Sequence, residues 1–300
     1  MTATDAASAR LVRLRTKAHG DRDAASLVFL GLLWLSLVFG LIVLVVLIVD
    51  TFRQGIPRMD RELFTNYAST LKPQTAGARA AILGSAMVIF FTALLAVPIG
   101  IAAASYLEEF APKQSRFAKL VELNVQNLAA VPAIIYGMLA AGFALVIGIP
   151  RNTVLAGAIA LSLLILPVII VATREALRAV PQEIRQGSLA LGASPMQTLA
   201  RQTLPAAVPG IATGTILALS RAIGEAAPLL LLGGLVFVTF DPNGLLSGFT
   251  TMPIQIFNWA GRSQLAFREL AAAASILLLV LVLAMNAVAI VIRNKFTTVR

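Results

Sequence analysis

Cysteine is absent from this 300-residue chain, and histidine occurs once, at His19 in the N-terminal tail. Without cysteine the chain has neither a disulfide bond nor a thiol nucleophile. A metal site would have to be built from carboxylates, which are scarce inside the long apolar runs. The phosphate-binding loop G-x-x-x-x-G-K-[ST] does not occur either. We therefore predict a chain without a catalytic centre, a metal site or an ATP site of its own.

Charged residues are also few, at 13% of the chain, while apolar residues reach 58%. Soluble domains contain about 25% charged and roughly 45–50% apolar residues. One globule of this length cannot hide so much apolar surface, so lipid must be part of the solvent. The net charge of +10 comes from Lys and Arg in the gaps between apolar runs, without a basic stripe interleaved with aromatics. We predict an all-α, polytopic membrane protein in a lipid bilayer, with no nucleic-acid partner.

Six apolar segments are long enough to cross a bilayer core, which takes about 20 residues. They lie at 26–49, 80–106, 120–147, 153–173, 207–236 and 269–292. The first is longer than the apolar part of a signal peptide, about 7–15 residues, and Asp50, Thr51 and Phe52 after it offer no small-residue cleavage site. We therefore predict six transmembrane helices, with the first one retained.

Proline and glycine are placed unevenly within these spans. Pro98, Pro132 and Pro167 fall inside three of them and predict kinks, which membrane helices tolerate where neighbours satisfy the freed carbonyl. Gly210 and Gly214 are four residues apart and form a small-residue face for close helix contact. Both features fit a bundle that moves, and both also occur in static bundles.

The distribution of Lys and Arg predicts the orientation. With the N-terminus inside, fifteen of them lie in cytoplasmic segments and eight on the opposite side. The cytoplasmic segments are then 1–25, 107–119, 174–206 and 293–300, and the others are 50–79, 148–152 and 237–268. Since positive charge concentrates in the cytoplasm, we predict that both termini are cytoplasmic.

The cytoplasmic loop at 174–206 is too polar to span a membrane and contains signals for helix ends. Pro181 opens a short helix, and Gly192 stands where a helix stops with a left-handed residue. Ser194 followed by Pro195 is an N-cap and first-turn pair, which starts a second short helix. The loop is therefore predicted to form two short helices that meet at a glycine corner.

The second short helix is expected over 195–203, with Met196 and Leu199 on one face, and Leu204-Pro205 is expected to end it before the fifth span. The residues alone leave two interpretations of this protruding knob. One is a simple helical hairpin between spans. The other is a docking element that receives force from a soluble partner.

Arg221 and Glu225 interrupt the otherwise apolar fifth span. A charge at the bilayer centre costs about 2.5–3.5 kcal/mol, so such residues face the bundle interior or a water path. Because they are four residues apart, we expect them on one helix face. One interpretation is a silent structural ion pair. The other is an anion relay, in which the planar guanidinium binds phosphate oxygens and the carboxylate weakens that grip so that the anion leaves.

Asn124, Gln126 and Asn127 place three amides in the third span. Polar amides within a membrane either line a path or form hydrogen bonds between helices. We favour interhelical hydrogen bonds and leave these residues out of the candidate site.

The cytoplasmic loop resembles the EAA loop of bacterial ABC-importer permeases, whose pattern is E-A-A-x3-G-x9-I-x-L-P. Gly192 and Leu204-Pro205 match it at the right spacing, whereas Gln186-Gly187-Ser188 replaces Glu-Ala-Ala and Gln202 replaces Ile. The resemblance implies that the loop couples to a partner ATPase. The coupling residues would be Gln186, Gly187, Leu191, Gly192, Ala193, Ser194, Pro195, Met196 and Leu199.

The string R-A-I-G-E at 221–225, with Pro-Leu-Leu after it, resembles the phosphate-specific permeases of the PstA family, a CysTW-like branch of the binding-protein-dependent transport permeases. M-P-I-Q-I-F-N-W at 252–259 and I-R-N-K at 292–295 extend the resemblance over 80–300. It implies an ABC importer type I permease fold at 80–292 in a bacterial inner membrane. It also implies that Arg221 and Glu225 belong to the substrate path.

The same resemblance implies the rest of an ATP-driven phosphate importer. A PstC-like permease subunit would form a heterodimer with this chain, a PstB-like ATPase dimer would bind ATP and Mg²⁺, and a PstS-like phosphate-binding protein would dock outside, in part on 237–268. This chain is then a transport subunit and no enzyme.

Two alternatives stay open. One is an ABC permease for another oxyanion (molybdate, sulfate or phosphonate), which is expected to lack R-A-I-G-E. The other is a membrane scaffold or sensor, which has no need of a cavity-facing Arg221.

Overall fold

The computed structural model describes residues 24–112, 116–128, 130–234 and 237–297, and every regular element within these ranges is a helix. His19 and most of the predicted basic tail lie outside the described residues. The chain divides into two compact units, residues 1–53 and residues 54–300.

The helices follow one another in a simple order. They are α1 (Ala24–Gly55), α2 (Arg61–Thr65), α3 (Arg79–Ser105), α4 (Arg116–Leu128), α5 (Ala133–Val146), α6 (Val154–Arg178), α7 (Gln182–Ala190), α8 (Pro195–Thr198), α9 (Leu204–Ile223), α10 (Ala227–Leu231), α11 (Met252–Ala260) and α12 (Leu265–Thr297). Two short 3-10 turns occur at Ile56–Arg58 and Pro73–Thr75. Two π turns extend the helical path, one after α3 at Tyr106–Phe110 and one before α9 at Leu199–Thr203.

Among the described residues, five helical stretches are long and apolar enough to cross a membrane. They are Ser26–Arg58, Arg79–Phe110, Val154–Arg178, Pro195–Ile223 and Leu265–Lys295, and α5 is a shorter apolar helix. The predicted all-α, polytopic membrane fold is confirmed. Five of the six predicted spans overlap these stretches, the fifth of the six only as far as Ile223, and the third is not among them.

The third predicted span, 120–147, is not one helix. It consists of α4 and α5, with a break before Pro132. In a continuous helix the Pro132 ring would clash with the carbonyl of Leu128, four residues earlier. That carbonyl instead accepts the Tyr136 hydroxyl at 2.6 Å and the Val131 backbone amide at 3.1 Å. The prediction that Pro132 only kinks a helix is therefore wrong, whereas Pro98 and Pro167 do lie within α3 and α6.

The side-chain amides of the third span were expected to form hydrogen bonds between helices, and Asn124 does not do so. The side chain of Asn124 donates to the carbonyl of Leu120 in its own helix at 2.8 Å, and both Asn124 and Asn127 are exposed. The predicted interhelical bond is thus wrong for Asn124.

Helix α6 lies at the centre of the larger unit and packs against α3, α5 and α9. Small residues allow this approach: the chain at Gly210 and Gly214 comes close to Ala176 and Ala172, so a Cβ on either glycine would collide with an alanine methyl. The predicted small-residue face of α9 is confirmed. Because lipid provides no hydrophobic drive between helices, such close contact supplies much of the packing energy in a membrane.

The segment 237–251, predicted to lie outside the cytoplasm, is partly a buried support. The amide of Val154, at the start of α6, donates to the Ser247 carbonyl at 3.0 Å. The Arg79 guanidinium donates to both carboxylate oxygens of Asp241, with Nη2 and Oδ2 2.6 Å apart. That hydrogen bond holds the pKa of the Asp241 carboxyl below its usual range. The segment is thereby tied to the first turns of α3 and α6.

Candidate functional site

The charged string of the fifth span lies at a break in the helix. Helix α9 ends at Ile223, and the amides of Gly224 and Glu225 donate to carbonyls three residues earlier, at 3.2 and 3.1 Å. In an unbroken helix the Pro228 ring would clash with the Gly224 carbonyl. The predicted continuous span 207–236 is therefore wrong beyond Ile223.

Glu225 lies past the end of α9, so the prediction that it shares a helix face with Arg221 is wrong. Both residues are described, and no ion pair joins their side chains. The silent ion pair considered from the sequence is therefore not formed. Arg221 stays in the last turn of α9, where the dipole of the helix favours a cation.

Arg221 is exposed on the surface of this chain. Leu217 and Gly224, one turn to either side, are exposed on the same side of the helix. These three residues form an exposed strip, and a guanidinium on a helix long enough to cross a membrane favours water or another protein chain over hydrocarbon.

The opposite side of this turn is buried. Ala222 and Ile223 pack towards Ser85 of α3 and Thr251, which precedes α11, with only a small cavity of 10 Å³ between them. A space of that size holds at most one water. A larger anion does not fit this cavity, whereas the exposed strip on the other side of the turn contains Arg221, the one charged residue of α9.

The two broken spans support each other. Helix α10 packs against α5, and Gly137 lies so close to Pro228 that a Cβ at this glycine would come within 2.8 Å of the proline Cα. Tyr136, the preceding residue, closes the end of α4 through its bond to Leu128. Discontinuous helices that meet in this way frame substrate sites in several transporter folds. Arg221 therefore precedes, along the chain, a joint between two broken spans.

The knob at 174–206 has the predicted architecture of two short helices at a glycine corner. Gly192 adopts φ +87° after α7, a left-handed conformation that other residues rarely take. The Ser194 hydroxyl accepts the Gln197 amide, and the Gln197 side chain accepts the Ser194 amide, so that a capping box starts α8. Ser188 and Thr198 are linked through their hydroxyls at 3.0 Å, which holds the two helices together.

Two details of the knob differ from the prediction. The helical path continues from α8 through the π turn into α9, so Leu204-Pro205 does not end it; the wider turn accommodates a proline that lacks an amide donor. Met196 is exposed, whereas Leu199 is buried against Leu177, so the two do not share an exposed face.

Three of the nine predicted coupling residues line a cleft of 490 Å³ on the knob. Gly187, Leu191 and Ala193 line it, together with Glu183 and Arg201, which were not predicted. Of the other six predicted residues, Leu199 is buried, and five are exposed around the corner: Gln186, Gly192, Ser194, Pro195 and Met196. Leu191 is 91% exposed at the tip. An apolar tip beside an open cleft is suited to receiving a partner protein.

One group of charged residues was missed altogether. Glu108 and Glu109, at the end of the α3 path, form ion pairs with Arg174, Arg178 and Arg185 beneath the knob. Nothing in the local sequence links these positions, because the partners are 66 to 76 residues apart along the chain.

Residues 96–297 match the family described as "Binding-protein-dependent transport system inner membrane component". The chain is 32% identical over 290 residues to the phosphate transport system permease protein PstA of Yersinia pestis, covering 96% of each chain. It is also 32% identical over 268 residues to the protein of that name from Haemophilus influenzae, covering 88% of this chain and 92% of the relative. These matches confirm the family resemblance read from the loop and the R-A-I-G-E string.

Two solved structures share the fold. The inward facing MetNI methionine ABC transporter has a TM-score of 0.55 at 21% identity, over 73% of this chain and 95% of the other. A bacterial ABC transporter involved in the import of the acidic polysaccharide alginate has a TM-score of 0.57 at 15% identity, over 94% and 99%. At such identities the likeness concerns the fold alone, and it confirms the predicted ABC importer permease fold.

Proposed function

The chain belongs to the family of binding-protein-dependent transport system inner membrane components, and from this premise we propose that it is a permease subunit of an ATP-driven phosphate importer. The observation that carries the proposal is its 32% identity to a phosphate permease over 96% of both chains. The placement of Arg221 supports it, because a partnerless guanidinium on an exposed strip of a membrane helix is suited to an anion.

In this proposal phosphate passes along the strip that contains Leu217, Arg221 and Gly224. The strip faces a PstC-like permease subunit, so that the path runs between the two chains. Arg221 forms a bidentate contact with phosphate oxygens, since two parallel N–H donors match two oxygens of the anion. Glu225, on the loop after α9, repels the anion and limits how long it stays.

The knob couples this path to ATP. A PstB-like ATPase dimer, which binds ATP and Mg²⁺, docks at the apolar tip with Leu191 and Met196 and at the cleft beside it. Both termini and the knob are then cytoplasmic in a bacterial inner membrane. On the other side a PstS-like phosphate-binding protein docks, and the exposed Phe240, Leu246 and Phe257 supply apolar contact area for it.

The test is uptake of radiolabelled phosphate into proteoliposomes that contain the complete assembly. We expect uptake to require ATP inside and the phosphate-binding protein outside, because the chain lacks a phosphate-binding loop for nucleotide. A tenfold excess of unlabelled sulfate, molybdate or methylphosphonate should leave the rate unchanged.

Competition by one of those oxyanions, together with its own ATP-dependent uptake, would assign the permease to that anion instead. An assembly that moves none of the anions would favour the scaffold or sensor.

A further inference from the structure

The underside of the knob is attached to the end of the α3 path by five charged side chains, here called the clamp. They are Glu108, Glu109, Arg174, Arg178 and Arg185. The two carboxylates follow each other in the π turn after α3; Glu108 pairs with Arg174 and Arg178, and Glu109 pairs with Arg185. The clamp is therefore a connection through space between the knob and a helix that is far away along the chain.

Arg185 is the centre of the clamp. Its Nη2 donates to Glu109 Oε1 at 2.8 Å and to the Leu177 carbonyl at 2.7 Å, and its Nη1 donates to the Val180 carbonyl at 3.1 Å. One side chain on α7 thus holds the end of α6, the turn into the knob and the π turn after α3. Because the donors of a guanidinium are held in one plane, they fix the orientation of these three groups as well as attracting the carboxylate.

Glu108 forms the second half of the clamp. It accepts from Arg178 Nε at 2.9 Å and from Arg174 Nε at 3.2 Å, on successive turns of α6. The side chains of Glu109 and Arg185 are only 17% and 12% exposed, so water screens their pair less than a surface pair. The contact beneath the knob is thus a partly buried ion-pair network.

Helix α3 leads from the clamp to the wall behind Arg221. Ser85 and Ile89 of α3 line the small cavity beside Ala222 and Ile223. Ser85 and Glu109 are about 35 Å apart along the helix axis. This distance is most of the thickness of a membrane. The same helix therefore touches the knob at one end and the turn next to Arg221 at the other.

We propose that Glu109 and Arg185 are positioning residues that transmit knob movement to α3, so that the knob, the end of α6 and α3 move as one body. This deepens the proposed function and rests on it. Without the clamp, knob movement reaches the spans through the continuous α8–α9 path, the α6–α7 turn and the apolar cluster of Ile184 and Leu199, which lacks directional contacts. ATP hydrolysis then proceeds with less anion moved per cycle.

The test compares phosphate moved per ATP hydrolysed in proteoliposomes for wild type, Glu109→Gln, Arg185→Gln and the double variant. We expect each single change to lower this ratio about fivefold or more, the scale of a typical coupling energy between sites. The double variant should be no worse than either single variant, because both remove the same contact. Glu175→Gln is the matched control, because Glu175 is exposed on the last turns of α6 and lies outside the clamp. In this variant the phosphate moved per ATP hydrolysed should stay at the wild-type value.

A second readout does not depend on the cargo. The chain has no cysteine, so Leu189→Cys on α7, away from the docking tip, and Tyr106→Cys in the π turn can carry a pair of spin labels. We expect one distance between them in both the nucleotide-free and the ATP-bound assembly, and two different distances once Glu109→Gln is added.

A wild-type ratio in Glu109→Gln and Arg185→Gln, or a label distance that changes with nucleotide in the intact protein, would overturn the clamp. Absence of phosphate uptake by the wild-type assembly would instead refute the proposed function, and the label distances would still decide the clamp.

Discussion

Replacement of Arg221 by alanine is expected to lower ATP-dependent phosphate uptake about 100-fold. The change removes two charge-assisted hydrogen bonds to the anion, together about 3 kcal/mol, and each 1.4 kcal/mol corresponds to a factor of ten. It also removes a charge from a membrane helix, which makes insertion easier rather than harder. The measurement is initial uptake in proteoliposomes, with the amount of assembled complex determined by size-exclusion chromatography.

Two further variants separate the anion contact from general damage. Arg221→Lys keeps the charge but loses the planar fork, so we expect an intermediate rate. Arg151→Ala removes an exposed arginine in the loop between α5 and α6 and should leave uptake unchanged. Uptake at the wild-type rate in Arg221→Ala would exclude this residue from the path.

Replacement of Gly137 by alanine is expected to destabilise the joint between the two broken spans by about 1–3 kcal/mol, the usual cost of forcing extra volume into a packed site. The new Cβ would lie within 2.8 Å of the Pro228 Cα and 3.0 Å of its carbonyl carbon. Backbone atoms cannot rotate away, so α5 and α10 must separate. We expect a lower melting temperature of the purified chain in detergent and a reduced uptake rate.

Gly142 provides the matched control in the same helix, because a Cβ there meets no atom within 4 Å. Since alanine is a better helix former than glycine by about 0.8–1 kcal/mol, Gly142→Ala should be neutral or slightly stabilising. Equal melting temperatures for the two variants would contradict the close contact between α5 and α10.

The membrane fold and the knob were predictable because their signals are local. Long apolar runs place the spans, and Gly192, Ser194 and Pro195 each have a defined preference at helix ends. The small-residue face at Gly210 and Gly214 was likewise visible in the sequence. The roles assigned to Arg221 and Glu225 stay predictions.

The helix breaks and the clamp were not predictable in the same way. Pro132 and Pro228 lie in apolar surroundings, and a membrane helix with proline either bends or stops depending on which neighbour satisfies the freed carbonyl. Tyr136 does so in the third span, a contact that only the folded chain shows. The clamp joins Glu109 to Arg185 across the tertiary structure, and no periodicity links two such positions.

The central claim is that Arg221 faces a water-filled route that the nucleotide cycle opens and closes, and the most direct test is thiol labelling of Arg221→Cys. The chain contains no other cysteine, and Ala222→Cys, 1% exposed for the native alanine, is the adjacent buried control. We predict that a charged, membrane-impermeant thiol reagent modifies Arg221→Cys, because only a thiol in contact with water ionises and reacts. The rate of modification should differ about tenfold or more between the nucleotide-free and the ATP-bound assembly. An Arg221→Cys thiol that is as unreactive as Ala222→Cys in both states would contradict the account.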